Sequence, residues 1–392
     1  MKTLFLNLKL LVLIFLSLTT LVVWAEPGPL TPSGPPGPTG ASLIELEEKL
    51  NLILAYVTPD IEITNASQSI NKPGHYHLSN DLTNSFGIIV NADNVIIDGQ
   101  NHNLFATPLG SPVGLLILGS KTNVVVKHLT VGGFSTSISG NASSITVDHS
   151  FTDRNIEVGS GSKVIGCFVT DSGTATNPAV NVGHDSIVEN TWVKSWGTSS
   201  NANCFEVGSH SKVKGCKAVS GYNGFVGDAY CIFSDCQSVS NANSGFVGGV
   251  GNGFSQNYSL FNGGDGMVLA GDSKAGLNTV QSNGLSGIKV TGNACDVSFN
   301  HVTENNTMTN SNSGGIVIGA NKCLIEANFL SGNAQYGVYV FSTNNNNVVI
   351  KNVAIGNGTS SAFNYQVNGA TNDFGSTANI ATSSQSNLNS SR

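Results

Sequence analysis

Apolar residues along this chain return in short alternating runs, each entered from a glycine: "GIIV" at 87, "GLLI" at 114, "GMVL" at 266, "GIKV" at 287, "GIVI" at 315 and "GVYV" at 337. Apolar-x-apolar runs of this length predict strands. A second strand, a small polar residue and a third strand follow each run, as in "NACDVSFNHVTEN" and "NKCLIEANFLSGN". The glycines keep a period. Gly224, Gly245, Gly266 and Gly287 are 21 residues apart, and Gly315 and Gly337 are 22 apart. Three short strands per unit of 20 to 28 residues predict a β-solenoid, because a helical repeat would show a 3.6-residue period.

Stacked coils sit about 4.8 Å apart, so equivalent residues form columns. One column reads Cys167, Asn190, Cys216, Cys236, Asn257, Asn300, Asn328 and Asn352, each between a second and a third strand. Asparagines at an inward turn can hydrogen-bond up and down such a column, and cysteine replaces them as a small buried residue. His128 and His149 share the phase in earlier coils and are expected to be structural. Asn344, in the run "NNNN", is expected to contribute far less than a ladder asparagine.

The repeats are preceded by different material. Residues 1–25, "MKTLFLNLKLLVLIFLSLTTLVVWA", have a basic start, an apolar run and a small residue at a cut site, which predicts a signal peptide. Ser17, Thr19 and Thr20 interrupt the run, favouring cleavage after Ala25 over an uncleaved anchor, with no membrane insertion afterwards. Residues 26–40 form a Pro/Gly linker. Over 41–57, Ser42 and Glu45 make a capping box ahead of Leu43, Leu46, Leu50, Ile53 and Val57, which predicts one short helix. Residues 58–86 are assigned to an N-terminal capping segment, 87–379 to the solenoid and 380–392 to a disordered tail.

Composition narrows the partners. Net charge is −7, 10% of residues are charged, and Arg154 and Arg392 are the only arginines. Nucleic-acid binding is not expected, because it needs a basic stripe. Seven cysteines (167, 204, 216, 231, 236, 295, 323) are an odd number for an exported chain, leaving at least one free or paired between chains. Cys295 and Cys323 should stack in adjacent coils; a disulfide is conceivable there, but parallel Cβ directions disfavour it.

These repeats resemble the right-handed parallel β-helix of the pectin-lyase-like superfamily, including the "NxVxxNxxxxN" repeats of NosD-type domains. The mature chain also resembles bacterial exported right-handed β-helix repeat proteins through "SQSINKPGHYHLSNDLT" (67–83), "NVIIDGQNHNL" (94–104) and "NVVIKNVAIGNGTSSAFNYQVNGATNDFG" (347–375). The resemblance implies an all-β, right-handed parallel β-helix of about a dozen coils. It leaves function open, since a fold hosts many activities.

In β-helix enzymes of this superfamily, substrate lies on the first strand and the turn after the third. Here that turn carries Asp153, Asp171 and Lys194, four residues past the ladder position in three consecutive coils. They are the catalytic candidates, with Arg154 beside them. Trp196 and Tyr222 lie close by, and Glu157 and Glu206 should point outward from adjacent first strands, giving a candidate binding set. Carboxylates, cations and aromatic faces together suit a polysaccharide; ordinary solvated turn residues are the alternative. Asp148 and Glu189 are expected to face outward two coils apart.

Known catalytic patterns are incomplete. "TVDH" (146–149) echoes the "WIDH" of pectate lyases without its tryptophan. The paired aspartate motifs of polygalacturonase-like hydrolases do not occur. His75 and His77, at i and i+2, share a strand face without an evident third metal ligand, and no copper cluster is present. No cofactor is expected, apart from calcium if the chain is a lyase. The expected function is therefore that of a secreted or cell-envelope β-helix protein, non-catalytic and binding a polysaccharide or envelope component. The alternative is a polysaccharide lyase or glycoside hydrolase.

Overall fold

A computed structural model describes residues 60–392 except 142, 171–175, 195, 196, 198, 311, 360–362, 370, 376, 379–388 and 392. The expected signal peptide, linker and short helix lie outside the described residues. The rest forms a parallel β-helix of about 13 turns. Its strands are gathered into three parallel sheets of 14, 15 and 15 strands, holding the first, second and third strands of each coil. The glycine-led runs fall on the first-strand sheet, for example at Met267–Leu269, Ile288–Val290 and Gly314–Ile318. Coiling begins before residue 87. Asp60–Ile63, Ser69–Ile70, Gly74–Leu78 and Leu82–Asn84 already pair within the three sheets, so the expected capping segment supplies coils of its own. Inside the expected disordered tail, Asn389–Ser391 pairs with Val353 and Ala354 on the third-strand sheet.

Period-2 alternation sends every second side chain inward, where Val, Ile, Leu and Phe fill one continuous core. Phe205, Phe225 and Phe246 stack at centroid distances of 4.8 Å, which is the rung spacing itself. The recurring glycine before the first strand is required by close approach. A Cβ at Gly245 would stand 2.2 Å from Ser259 Oγ and 2.6 Å from the Gly266 carbonyl. A Cβ at Gly224 would meet the equivalent atoms, Ser238 Oγ and the Gly245 carbonyl, at the same distances.

The corner between second and third strands carries the expected ladder. Asn328 Oδ1 accepts from the backbone and side-chain amides of Asn300, both at 2.9 Å. Asn328 in turn donates to Asn352 Oδ1 and to the Val297 carbonyl. The column runs through Asn257, Asn278, Asn300, Asn328 and Asn352, with Cys236 ahead of it. Three earlier members are corrected by one residue. Asn190, His128 and His149 have φ of 49°, 50° and 43° and sit on the outer side of the corner, just before the inward position. The inward residues there are Thr191, Leu129 and Ser150, all buried. His128 and His149 are therefore surface side chains, 42% and 62% exposed.

A second ladder lines the corner after the third strand, where Asn241, Asn262, Asn283, Asn305, Asn333, Asn357 and Asn364 bond side chain to side chain at 2.7–3.1 Å. All seven cysteines are buried and free, Cys295 and Cys323 included. Burial pushes the thiols of Cys167 and Cys204 up to about 12, which fits space-filling residues rather than nucleophiles.

Ion pairs decorate the N-terminal coils. Asp98 receives Lys127 Nζ at 3.1 Å and His128 Nδ1 at 3.4 Å. Burial raises its pKa, but the Gln100 amide, Lys127 and His128 outweigh that and hold it below the usual carboxylate value.

Two outcomes follow from this architecture. Asn328→Leu should destabilise the helix by roughly 1–3 kcal/mol per orphaned group. Asn344 is buried and donates to the Ile318 carbonyl at 3.1 Å, so Asn344→Ala should cost about 1 kcal/mol, more than its place in a polar run suggests. Exposed Ser342→Ala should cost almost nothing. Equal losses of melting temperature across the three would refute this register. For Asp98, a folded pKa below the unfolded value means stability present above the unfolded pKa and lost as pH falls through the folded one. The melting-temperature gap between wild type and Asp98→Asn should hold above about pH 5 and close below about pH 4; a gap that widens in acid would contradict the assignment.

Candidate functional site

Outward positions of the first-strand sheet run in a straight file. Glu157 on Ile156–Val158 pairs in register with Asn181 on Val180–Val182, and that with Glu206 on Phe205–Val207. The three strands place flanking apolar residues inward, so these three side chains emerge half-buried between them. Two rungs separate the glutamates, putting their backbones about 9.6 Å apart.

Behind Glu206 the turn entering each first strand supplies amides. Asn203 Nδ2 donates to Glu206 Oε2 at 3.1 Å, Asn223 Nδ2 to Asn203 Oδ1 at 2.9 Å, and Asn243 Nδ2 to Asn223 Oδ1 at 3.0 Å. This file spans three turns and orients the Glu206 carboxylate. Tyr222 lies in it by position, directly before Asn223, its backbone tied to Ala202 and Asn243. The candidate set from the sequence contains Glu157, Glu206 and Tyr222 and lacks Asn181, Asn203, Asn223 and Asn243. Their signal was available in the sequence: Asn203 and Asn223 stand two residues and Asn243 three residues before successive first strands, and Asn181 holds the outward position of its own strand.

The proposed Asp153, Asp171, Lys194 column is not aligned as expected. Thr152 pairs with Val169, and Thr170 with Lys194, so the aligned residues are Asp153, Thr170 and Lys194. Asp171 comes one position later, because His149 and Asn190 sit one residue before the inward corner position that Cys167 itself occupies. The side chains of Asp171 and Trp196 lie outside the described residues.

Asp153 serves the backbone: its Oδ2 accepts from Gly133 N–H at 2.8 Å, while its Oδ1 is buried with no hydrogen-bond partner among the described residues. Arg154 reaches Ser137 Oγ through its backbone N–H at 3.1 Å and the Asp153 carbonyl through Nη1 at 3.1 Å. Lys194 stands on the third-strand sheet, its Nζ 5.9 Å from the Trp192 ring centroid. It therefore belongs to a different face from Glu157 and Glu206. Asp148 and Glu189 do face outward two coils apart, with Ile165 between them.

The histidine pair on Gly74–Leu78 shares one carboxylate. His75 Nδ1 and His77 Nδ1 lie 3.1 and 2.9 Å from Asp60 Oδ1. No group of three or more metal-holding side chains occurs among the described residues.

No protein-family model matches the chain, and no curated protein does. Solved structures do. The A-module of the Azotobacter vinelandii mannuronan C-5 epimerase AlgE6 superposes with a TM-score of 0.55 at 10% identity, over 84% of this chain and 94% of that one. The A-module of AlgE4 from the same organism gives 0.51 at 13% identity, over 82% and 94%. A tailspike protein of E. coli bacteriophage HK620, in complex with pentasaccharide, gives 0.45 at 14% identity, over 81% and 64%. The two epimerase modules show that the chain shares their fold, a parallel β-helix.

Proposed function

We propose that this chain is an exported, non-catalytic β-helix that binds polysaccharide along its first-strand sheet. The observation that carries the reading is the file Glu206–Asn203–Asn223–Asn243, with Asn181 and Glu157 continuing it outward. Glu157, Asn181 and Glu206, half-buried at rung spacing, present carboxylates and a carboxamide in a repeating line that suits the hydroxyls of a polymer with a repeating ring, while the buried Asn203 and Asn223 brace Glu206 from behind. Amides already bonded to one another lose little freedom on binding, so less of the interaction is offset by ordering. Export rests on residues 1–25. It places the ligand among secreted or envelope glycans.

One observation favours a second reading, a glycoside hydrolase. The glutamate backbones, about 9.6 Å apart, stand just beyond the roughly 6.5–9.5 Å carboxyl separation of inverting enzymes, so carboxyls leaning toward each other would fall inside it. A lyase version would call on calcium, so assays belong in calcium and in calcium-free buffer.

The test is a glycan array followed by calorimetry on the best hit. Glu206→Gln should weaken binding by about tenfold, the scale of losing hydrogen bonds to a charged group, with an unchanged melting temperature. Failure of any glycan to bind, with and without calcium, would remove the proposal. Release of reducing ends that Glu157→Gln or Glu206→Gln abolishes, at nearly unchanged affinity, would replace it with the hydrolase.

A further inference from the structure

Round the corner from that acidic face, the third-strand sheet carries outward residues of opposite character. Phe151, Phe168 and Trp192 occupy one column on three successive rungs, and Lys217 follows on the fourth. The ring centroids are 5.5 and 4.9 Å apart. Phe151 and Trp192 each remain 38% exposed although the rings of the column pack on one another, so the row as a whole presents aromatic surface to solvent. A contiguous row of exposed rings is a feature of interaction surfaces.

Lysines complete the strip. Lys194 Nζ lies 5.9 Å and Lys217 Nζ 5.2 Å from the centroid of Trp192. Two ammonium groups thus converge on one ring from neighbouring rungs. The lysine ion pairs among the described residues engage Lys127, Lys289 and Lys351, not these two. The outward residues from Phe168 and Thr170 to Tyr258 and Leu260 include no carboxylate. Asp153, at the strip's N-terminal end, is engaged with the Gly133 amide. Positive charge beside aromatic edges, in a chain whose net charge is −7, is a local departure that selects an anion with an apolar face.

We infer that this strip is a second saccharide site, specific for an acidic polysaccharide running parallel to the helix axis. The carboxylates of uronate residues would meet Lys194 and Lys217, and the C–H faces of the rings would lie along Phe151, Phe168 and Trp192. Rungs about 4.8 Å apart advance by nearly one pyranose each, so successive sugars meet successive rungs. The glutamate file of the first-strand sheet repels the same polymer, which separates the two faces by ligand charge. The inference does not depend on the proposed site around Glu206.

Calorimetric titration of the mature protein with a hexameric oligouronate, and with a neutral oligosaccharide of equal length and linkage, tests it. The oligouronate should bind at least tenfold more tightly, with affinity falling as salt rises. The Lys194→Gln, Lys217→Gln double variant should lose about tenfold and flatten the salt dependence. Trp192→Leu should weaken binding of the oligouronate by a similar factor. Lys322→Gln, at an exposed lysine outside both faces, should leave it unchanged, which tells loss of the strip from loss of net positive charge. Should Trp192→Leu not fold, the lysine variants, altered only at surface ammonium groups, still decide the matter. Equal binding of acidic and neutral oligomers, no oligouronate binding, or an unchanged affinity in the double variant would overturn the inference.

Discussion

A polar group buried between two coils finds its partners mainly in the coil above or below. In a solenoid each corner must turn the chain through a tight inward bend, and the amides and carbonyls there are shut off from water. Leaving one unpaired costs about 1–3 kcal/mol. Asparagine meets the demand because its side chain both donates and accepts, as Asn328 does with Asn300, Asn352 and Val297. One such residue is useful only if its neighbours match, so the constraint propagates along the column. Where the column changes to Cys236, Cys216, Thr191 and Cys167, smaller groups fill the corner and bond mainly to backbone carbonyls.

That propagation explains why the architecture could be read from the sequence. Inward positions admit few residue types, and the same demand returns every coil, so periodicity accumulates over many copies. The glycine before the first strand was legible for the same reason: at Gly245 a side chain would collide with the next coil. The misplacement of Asn190, His128 and His149 has an equally physical origin. Each corner places an outward left-handed residue directly before the inward one, and asparagine and histidine are among the residues that tolerate positive φ. Two adjacent positions thus accept similar residues for different reasons. The second ladder, at Asn262 and Asn283, escaped notice because asparagine after a strand also reads as an ordinary turn.

Outward positions obey no such rule, and the candidate sites were correspondingly harder to read. Glu157 and Glu206 stood out because alternation alone fixes the direction of a strand side chain. Trp192 did not, because its column continues as Lys217, Gln237, Tyr258 and Thr279, with no repeated type. The Asp171 alignment failed through the ladder count, since an error of one residue at the corner carries into the following turn.

Freedom from packing is also what makes the outward columns informative. In the later coils the first-strand file reads Val226, Val247 and Val268, a repeated choice suited to a half-buried pleated surface. Between residues 151 and 217 both files abandon that background: carboxylates and carboxamides on one sheet, aromatic rings and lysines on another. Neither set strengthens the core, and each lysine beside Trp192 gives up rotamer freedom for a modest cation–π contact. The rigidity supplied by the ladders instead goes to the surface, holding unlike groups at a spacing the sheet itself sets. A polymer with a comparable repeat is the ligand class for which that spacing does work, because each added ring meets the next rung without a new entropic cost of orientation.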